Sequence, residues 1–245
     1  KLVAAERVAA WREIARRIAH EIKNPLFPIQ TSIETLRKVQ EKQHPDFEEI
    51  FHESTATILE EVQRLKTIAT EFSQFARMPK PRIEPCPLHD VLGTVTTLYG
   101  AGDLPLTLDV GSDLPDVLGD REQLVQVFSN LVKNAREALG AVERPRITVG
   151  ARADGEGWVR VRVEDNGPGF SEEVEAKIFT PYFTTKGASG GSGLGLAIVH
   201  RIVLDHGGRI EARSGERGGA VFSVWLPAAP RGAAADTVPA GERHG

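Results

Sequence analysis

One histidine, His20, stands between Ile18 and Ile22 in the stretch WREIARRIAHEIKNPLFPI, with Glu21 beside it and Asn24 one helical turn on. A neutral imidazole is nucleophilic near pH 7. Held outward on a rigid helix, it is placed to react with a group brought to it. Three further islands supply such a group. In Asn130-Leu-Val-Lys133-Asn134-Ala-Arg-Glu137 the two asparagines are four apart, so both amides lie on one helix face. An amide oxygen can ligate Mg²⁺ when phosphates and water complete the octahedron. In Asp165-Asn166-Gly167-Pro168-Gly169 a strand ends in a glycine-rich turn, where a carboxylate can accept from an exocyclic amine and the glycines admit a flat ring. In Gly190-Gly191-Ser192-Gly193-Leu194-Gly195-Leu196 a glycine run opens a helix, whose bare N–H groups make an anion site. Between the last two, Phe170 to Ser189 is long enough to be a lid.

Each island also has a plain reading. Paired asparagines are usually solvated surface, and Asp-Asn-Gly is first of all a turn. The glycine run lacks the strand directly before it that a dinucleotide fold requires, and no Gly-x-x-x-x-Gly-Lys-[Ser/Thr] occurs. A zinc-protease reading of His20-Glu21 fails because Asn24 stands where the second histidine is needed. Order and co-occurrence in one chain favour the chemical reading.

These residues need a scaffold. Val8, Trp11, Ala15, Ile18, Ile22, Pro25, Ile29 and Leu36 recur in threes and fours, with one step skipped over Ser32, giving a first helix over Val3–Gln40. His20 lies off that seam, on the outer face with Glu13, Arg17, Asn24, Phe27 and Thr31. Pro25 and Pro28 predict a kink after His20. A turn at Gln43–Asp46 leads to a second helix, Phe47–Arg77, with a seam at Phe51, Ile58, Val62, Leu65, Ala69, Phe72 and Ala76. A two-helix hairpin leaves half its apolar stripe wet, so two copies are expected to pair into a four-helix bundle, a homodimer. Met78–Pro87 carries four prolines and reads as a semi-rigid linker. Beyond it the pattern gives a helix at Leu88–Tyr99, a strand at Leu106–Val110 and a capping box, Asp120-Arg-Glu-Gln123, opening a helix over Glu122–Leu139. Strand hairpins follow at Arg146–Arg152 with Trp158–Glu164 and at Arg209–Arg213 with Ala220–Leu226, with a helix at Leu194–Asp205 between them. The fold class is α+β: the helical hairpin, then an α/β sandwich with helices on one face of a sheet. The expected domains are 1–77, a linker at 78–87, 88–229 and a disordered tail at 230–245.

With 245 residues and a formal net charge of −4, neither nucleic-acid binding nor membrane adsorption is implied. The single cysteine, Cys86, excludes an internal disulfide and fits a reducing compartment. No apolar run approaches the roughly 18 residues of a membrane span. The chain begins at Lys1, without an initiator methionine, and reads as a fragment, so upstream membrane or sensory segments are an open expectation.

Over residues 5 to 228 the chain resembles the catalytic core of bacterial two-component sensor histidine kinases, nearest to the nitrogen-regulation sensors, whose helix reads much like Ala-Arg-Arg-Ile-Ala-His-Glu-Ile-Lys-Asn-Pro-Leu. The resemblance implies a dimerisation hairpin and a GHKL-type (Bergerat) ATP-binding domain, with ATP and Mg²⁺ as cofactors. It places His20 on the phospho-accepting histidine, and Glu21 and Asn24 on the residues aiding phosphotransfer and dephosphorylation. Asn130 and Asn134 match the N box, with Asn134 on the magnesium ligand. Asp165, Gly167 and Gly169 match the G1 box, with Asp165 on the adenine contact. Phe179–Lys186 match the F box, and Gly191, Gly193 and Gly195 the G2 box, with Leu194 between them. The implied partner is a response regulator docking near His20, Asn24 and Phe27, and the implied location is the cytoplasmic part of a membrane-bound sensor. Two departures stand out. Phe27 replaces a frequent threonine, either as a docking contact, as packing for the ATP-binding domain, or as a tolerated surface residue. Glu137 replaces a frequent basic residue, leaving positive charge to Lys133, Lys186 or the arginines near His20. The competing expectation is a GHKL-type ATPase or an ATP-binding scaffold in which no histidine is phosphorylated.

Overall fold

The computed structural model describes residues 2–76, 79–100, 105–140, 142–155, 157–185, 193–215 and 218–230; in the first helix, side chains are described from Arg16 onward, Arg17 and Ile18 excepted. Lys186, Gly191 and the 231–245 tail therefore lie outside the described residues. The chain divides into two compact units, Lys1–Met78 with Ile178–Ala197, and Pro79–Lys177 with Ile198–Gly245.

The first unit is built on an antiparallel hairpin of α1 (Leu2–Glu41) and α2 (Phe47–Ala76). α1 stays α-helical through Pro25 and Pro28. The reversal uses Gln43 at φ 48°, and His44 Nδ1 accepts the Asp46 N–H at 3.3 Å. Glu21, Pro25, Pro28, Ser32 and Val39 on α1 and Ile50, Ser54, Glu61, Leu65 and Ile68 on α2 are all partly or fully buried, and Arg64 of α2 approaches Glu21 across the hairpin. This corrects the expected seam of α2: Ile68 is buried and Ala69 exposed, while Phe51 and Val62 face solvent. The apolar pattern of α2 sums two stripes, one against α1 and one uncovered. Ile22, placed in the expected seam of α1, is exposed as well, and with Leu26 and Ile33 of α1 and Leu59 of α2 it adds to the uncovered apolar surface.

The second unit is an α/β sandwich. Its five-stranded sheet has the order β2-β4-β5-β7-β6, formed by Leu106–Val110, Ile147–Ala153, Trp158–Asp165, Ala220–Pro227 and Arg209–Ser214 respectively. Only β2 and β4 run parallel; the other pairs are antiparallel, with Ile147 opposite Asp165 and Val163 opposite Phe222. Alternation decides the faces: Val159, Val161 and Val163 are buried, while Arg162 and Glu164 between and beyond them are exposed. The apolar faces of α3 (Leu88–Tyr99), α4 (Arg121–Ala138) and, beyond the short α5 (Glu172–Glu175), the end of α6 (Gly195–Asp205) complete the core, with Val91, Leu131 and Ile202 fully buried. On the solvent face, Arg209 lies 4.3 Å over the Trp225 ring, whose Nε1 donates to Asp154 at 2.6 Å.

Two short strands were not foreseen. β1 (Glu84–Cys86) pairs antiparallel with β3 (Val117–Gly119), so the end of the proline-rich segment is strand. Its start is fastened as well: Gln123 Nε2 donates to the Pro79 carbonyl at 3.0 Å, and the Arg82 N–H donates to Asp120 Oδ2 at 3.1 Å. The capping box is thus only half formed. Asp120 Oδ1 accepts the N–H groups of Glu122 and Gln123, but the Asp120 N–H donates to His206 Nε2 at 2.9 Å instead of meeting Gln123.

Burial alone would push the Asp120 carboxyl up; the N–H groups of Arg82, Gln123 and Glu122, with His206 nearby, outweigh it and hold the group below its ordinary 3.8. A depressed folded-state value means stabilisation that is present above the unfolded value and lost as pH falls through the folded one. Asp120→Ala is expected to cost about 1–2 kcal/mol at pH 7, the usual worth of an N-cap. The difference from wild type should shrink in urea melts as pH is lowered below 3.8.

Candidate nucleotide and phosphoacceptor site

His20 is exposed on α1, as are Asn24 and Phe27, the last with 74% of its surface free. Their spacing of four and three puts them on one outer face. Glu21 is not on that face. It turns toward α2, where its Oε2 lies 3.9 Å from Arg64 Nη2. Adjacent helical positions diverge by about 100°, which is why the two neighbours part company.

Asp165 ends β5, and only 5% of it is exposed. Its Oδ1 accepts the N–H of Gly167 at 2.9 Å and of Ala220 at 3.1 Å. Burial pushes this carboxyl up; the two N–H groups oppose the shift and nearby Glu164 adds to it. The glycines around it answer to close approach. A Cβ on Gly167 would stand 3.0 Å from Asp165 Oδ1 and 3.4 Å from the Ala138 carbonyl at the end of α4. Gly169 has φ 68°, and its Cβ would meet the Gly219 carbonyl at 2.7 Å. Gly219, at φ 83°, presses on the Asp165 carbonyl so closely that a Cβ there would overlap it. Ser214 Oγ donates to the Phe170 carbonyl at 2.6 Å and accepts the Phe170 N–H. Ser214, Gly219 and Ala220, from the β6–β7 connection and its flanks, therefore back the turn after β5. Sequence reading missed it, although the Gly218-Gly219 pair before a strand was a signal of close backbone approach. The Asn166 side chain holds the preceding loop, accepting the Arg146 N–H at 2.7 Å and donating to the Arg144 carbonyl at 2.8 Å.

Asn130 and Asn134 are half-buried on α4, beside the fully buried Leu131 and Val132. Lys133 Nζ lies 4.0 Å from Glu137, so the acidic departure at Glu137 draws the neighbouring cation to itself. Among the described residues no group of three His, Cys, Asp or Glu side chains is gathered as for a metal. Asn130 and Asn134 offer amide oxygens, a donor type that suits a hard cation held chiefly by phosphate and water.

Gly193–Gly195 belong to the first unit. The Tyr182 N–H donates to the Gly193 carbonyl at 2.9 Å. Tyr182 takes φ 63° and Gly193 φ 69°, and a Cβ on Gly193 would stand 2.6 Å from the Tyr182 carbonyl carbon. Burial pushes the Tyr182 hydroxyl up to about 12. Leu194 is fully buried and Gly195 opens α6.

The sequence matches the family described as "Histidine kinase-, DNA gyrase B-, and HSP90-like ATPase" over residues 119–230 and the "His Kinase A (phospho-acceptor) domain" over residues 10–81. The nitrogen regulation protein NtrY of Azorhizobium caulinodans is 38% identical over 226 residues, 89% of this chain and 29% of that protein. The sensor histidine kinase ZraS of Salmonella typhi is 34% identical over 92% of this chain and 48% of its own length. The chain thus spans less than half the length of these curated relatives. Among solved structures, the histidine kinase ThkA in complex with response regulator protein TrrA is 30% identical with a TM-score of 0.70, covering 92% of this chain and 64% of that one. The catalytic domain of ThkA is 34% identical with a TM-score of 0.54, covering 60% of this chain and 99% of that one. With a phospho-acceptor hairpin followed by a histidine-kinase-type ATPase sandwich, the chain belongs to the sensor histidine kinase family.

Proposed function

We propose that the chain is the ATP-dependent autokinase core of a longer sensor, which phosphorylates His20 and passes the phosphoryl group to an aspartate of a response regulator. The observation that carries this is the exposed imidazole on the outer face of α1, in a chain that also holds the backbone-braced Asp165. Residues 1–77 form the dimerisation and phosphotransfer domain and 88–229 the catalytic domain. A second copy covers the stripe of Leu26, Ile33, Phe51, Leu59 and Val62, which one hairpin leaves wet. The regulator docks around His20, Asn24 and Phe27, in keeping with the partner named for ThkA. No described helix is long and apolar enough to cross a membrane, and the cytoplasmic part of a membrane-bound sensor is the location proposed.

In this reading adenine donates its exocyclic amine to Asp165, in the turn that Gly167 and Gly169 keep close against its neighbours. Gly191, Gly193, Leu194 and Gly195 present N–H groups to the phosphates, with Lys133 and Lys186 as neighbouring cations. Asn134, with Asn130 beside it, would hold Mg²⁺, which neutralises phosphate charge when bound. One ring nitrogen of His20 attacks the γ-phosphorus; the N–P bond forms as the bond to the β,γ-bridging oxygen breaks, and ADP leaves. Glu21 takes the proton from the other ring nitrogen. Asn24 positions water for the reverse, dephosphorylating direction. Such chemistry asks mainly for positioning and charge neutralisation.

Incubation with γ-labelled ATP and Mg²⁺ is expected to give an acid-labile, alkali-stable phosphoprotein; steady ATP hydrolysis with no such label would overturn the proposal. Asn134→Ala should lower Mg-ATP affinity at least about tenfold without changing the oligomer, read by titration with a fluorescent nucleotide and by light scattering.

A further inference from the structure

Glu21 is the proton acceptor of the reading above, yet its carboxylate is engaged elsewhere. Arg64 of α2 lies with Nη2 3.9 Å from Glu21 Oε2 and Nη1 3.9 Å from Glu61 Oε2. Both separations exceed hydrogen-bond length, so one guanidinium hangs between two carboxylates and is locked to neither. The three side chains are 18–30% exposed, wet enough to exchange partners and buried enough for the charge to be felt. Glu61 Oε2 is itself buried with no hydrogen-bond partner among the described residues, and an orphaned acceptor draws a donor toward it. The guanidinium can therefore close on Glu61, leaving Glu21 free, or on Glu21, holding it against α2 and away from the ring of His20.

We propose that Arg64 is a positioning residue that holds Glu21 off His20, and that autophosphorylation requires Glu21 to exchange Arg64 for the imidazole, with Glu61 drawing Arg64 away. This rests on the autokinase reading. Two substitutions on neighbouring turns of one helix should then act in opposite directions. Arg64→Gln frees Glu21 and is expected to raise the initial labelling rate at saturating Mg-ATP about two- to fivefold, the scale of a part-exposed ion pair. Glu61→Gln leaves Arg64 to Glu21 alone and should lower the rate by a similar factor. KM for ATP stays at the wild-type value in both, Arg64→Lys restores the wild-type rate, and the gain of Arg64→Gln disappears in a Glu21→Gln background.

Changes of the same sign in Arg64→Gln and Glu61→Gln, a shifted KM, or a gain that survives Glu21→Gln would each overturn the proposal. Should Arg64→Gln fail to fold by circular dichroism, Glu61→Gln decides alone, a rate at or above wild type being the overturning result. Failure of the autokinase reading is distinguishable, because then the wild-type chain itself takes no alkali-stable label.

Discussion

His20→Ala is expected to abolish alkali-stable labelling of the chain, by at least about a hundredfold, while nucleotide binding stays at the wild-type level. The ring is exposed on the outside of α1, so its removal leaves no cavity and opens no core. Alanine is the better helix former by a few tenths of a kcal/mol, so the hairpin should melt no earlier than wild type. A defect confined to labelling would thus report the loss of the acceptor and nothing else. The chain has seven histidines, and the remaining six provide the control. Labelling that persists in His20→Ala and disappears on replacing another, such as the exposed His52, would move the acceptor and with it the mechanism.

Gly219→Ala should be the most damaging single methyl addition at the site. Gly219 sits at φ 83°, where an L side chain costs about 1–2 kcal/mol by itself. Its Cβ would also overlap the Asp165 carbonyl, which belongs to a buried strand end and cannot retreat alone. The expected cost is about 2–4 kcal/mol in stability, with at least about tenfold weaker nucleotide binding, because Ala220, the next residue, braces the Asp165 carboxylate. Gly155 is the matched control: its φ is 71° but nothing lies within 4 Å of a Cβ there. Gly155→Ala carries the backbone strain without the collision. Thermal melts and nucleotide titrations of both variants separate the two contributions. Equal losses would show that the contact with Asp165 is not what Gly219 serves.

The helices and hairpins were legible because their signals are local. Asp120 before an apolar-periodic run announces a helix start, and α4 begins where that predicts. What failed to show was non-local. The Asp120 N–H finds His206, 86 positions away, and Gln123 finds Pro79, 44 positions away, so the box could not be read as half formed. The prolines of the linker exclude helix but say nothing about pairing, and β1 exists only because Val117–Gly119 arrives beside it. The seam of α2 shifted by one position at Phe51, Val62 and Ala69, while Ile58, Leu65 and Phe72 stay half-buried as expected; Phe51 and Val62 are as apolar as the covered residues, so periodicity could not separate them. Asp165 and its glycines were visible as a motif, while Ser214, Gly219 and Ala220, which brace them, are marked only by the Gly218-Gly219 pair before a strand. Lys186 and Gly191 lie outside the described residues, and their roles stay with the proposal.

Two amide protons hold Oδ1 of Asp165, which in the proposed reading leaves Oδ2 for the base. A lone-pair-bearing oxygen can greet an amino group but repels a carbonyl. In the proposed reading, the choice between six-amino and six-oxo rings falls to one atom, fixed in place by main-chain amides.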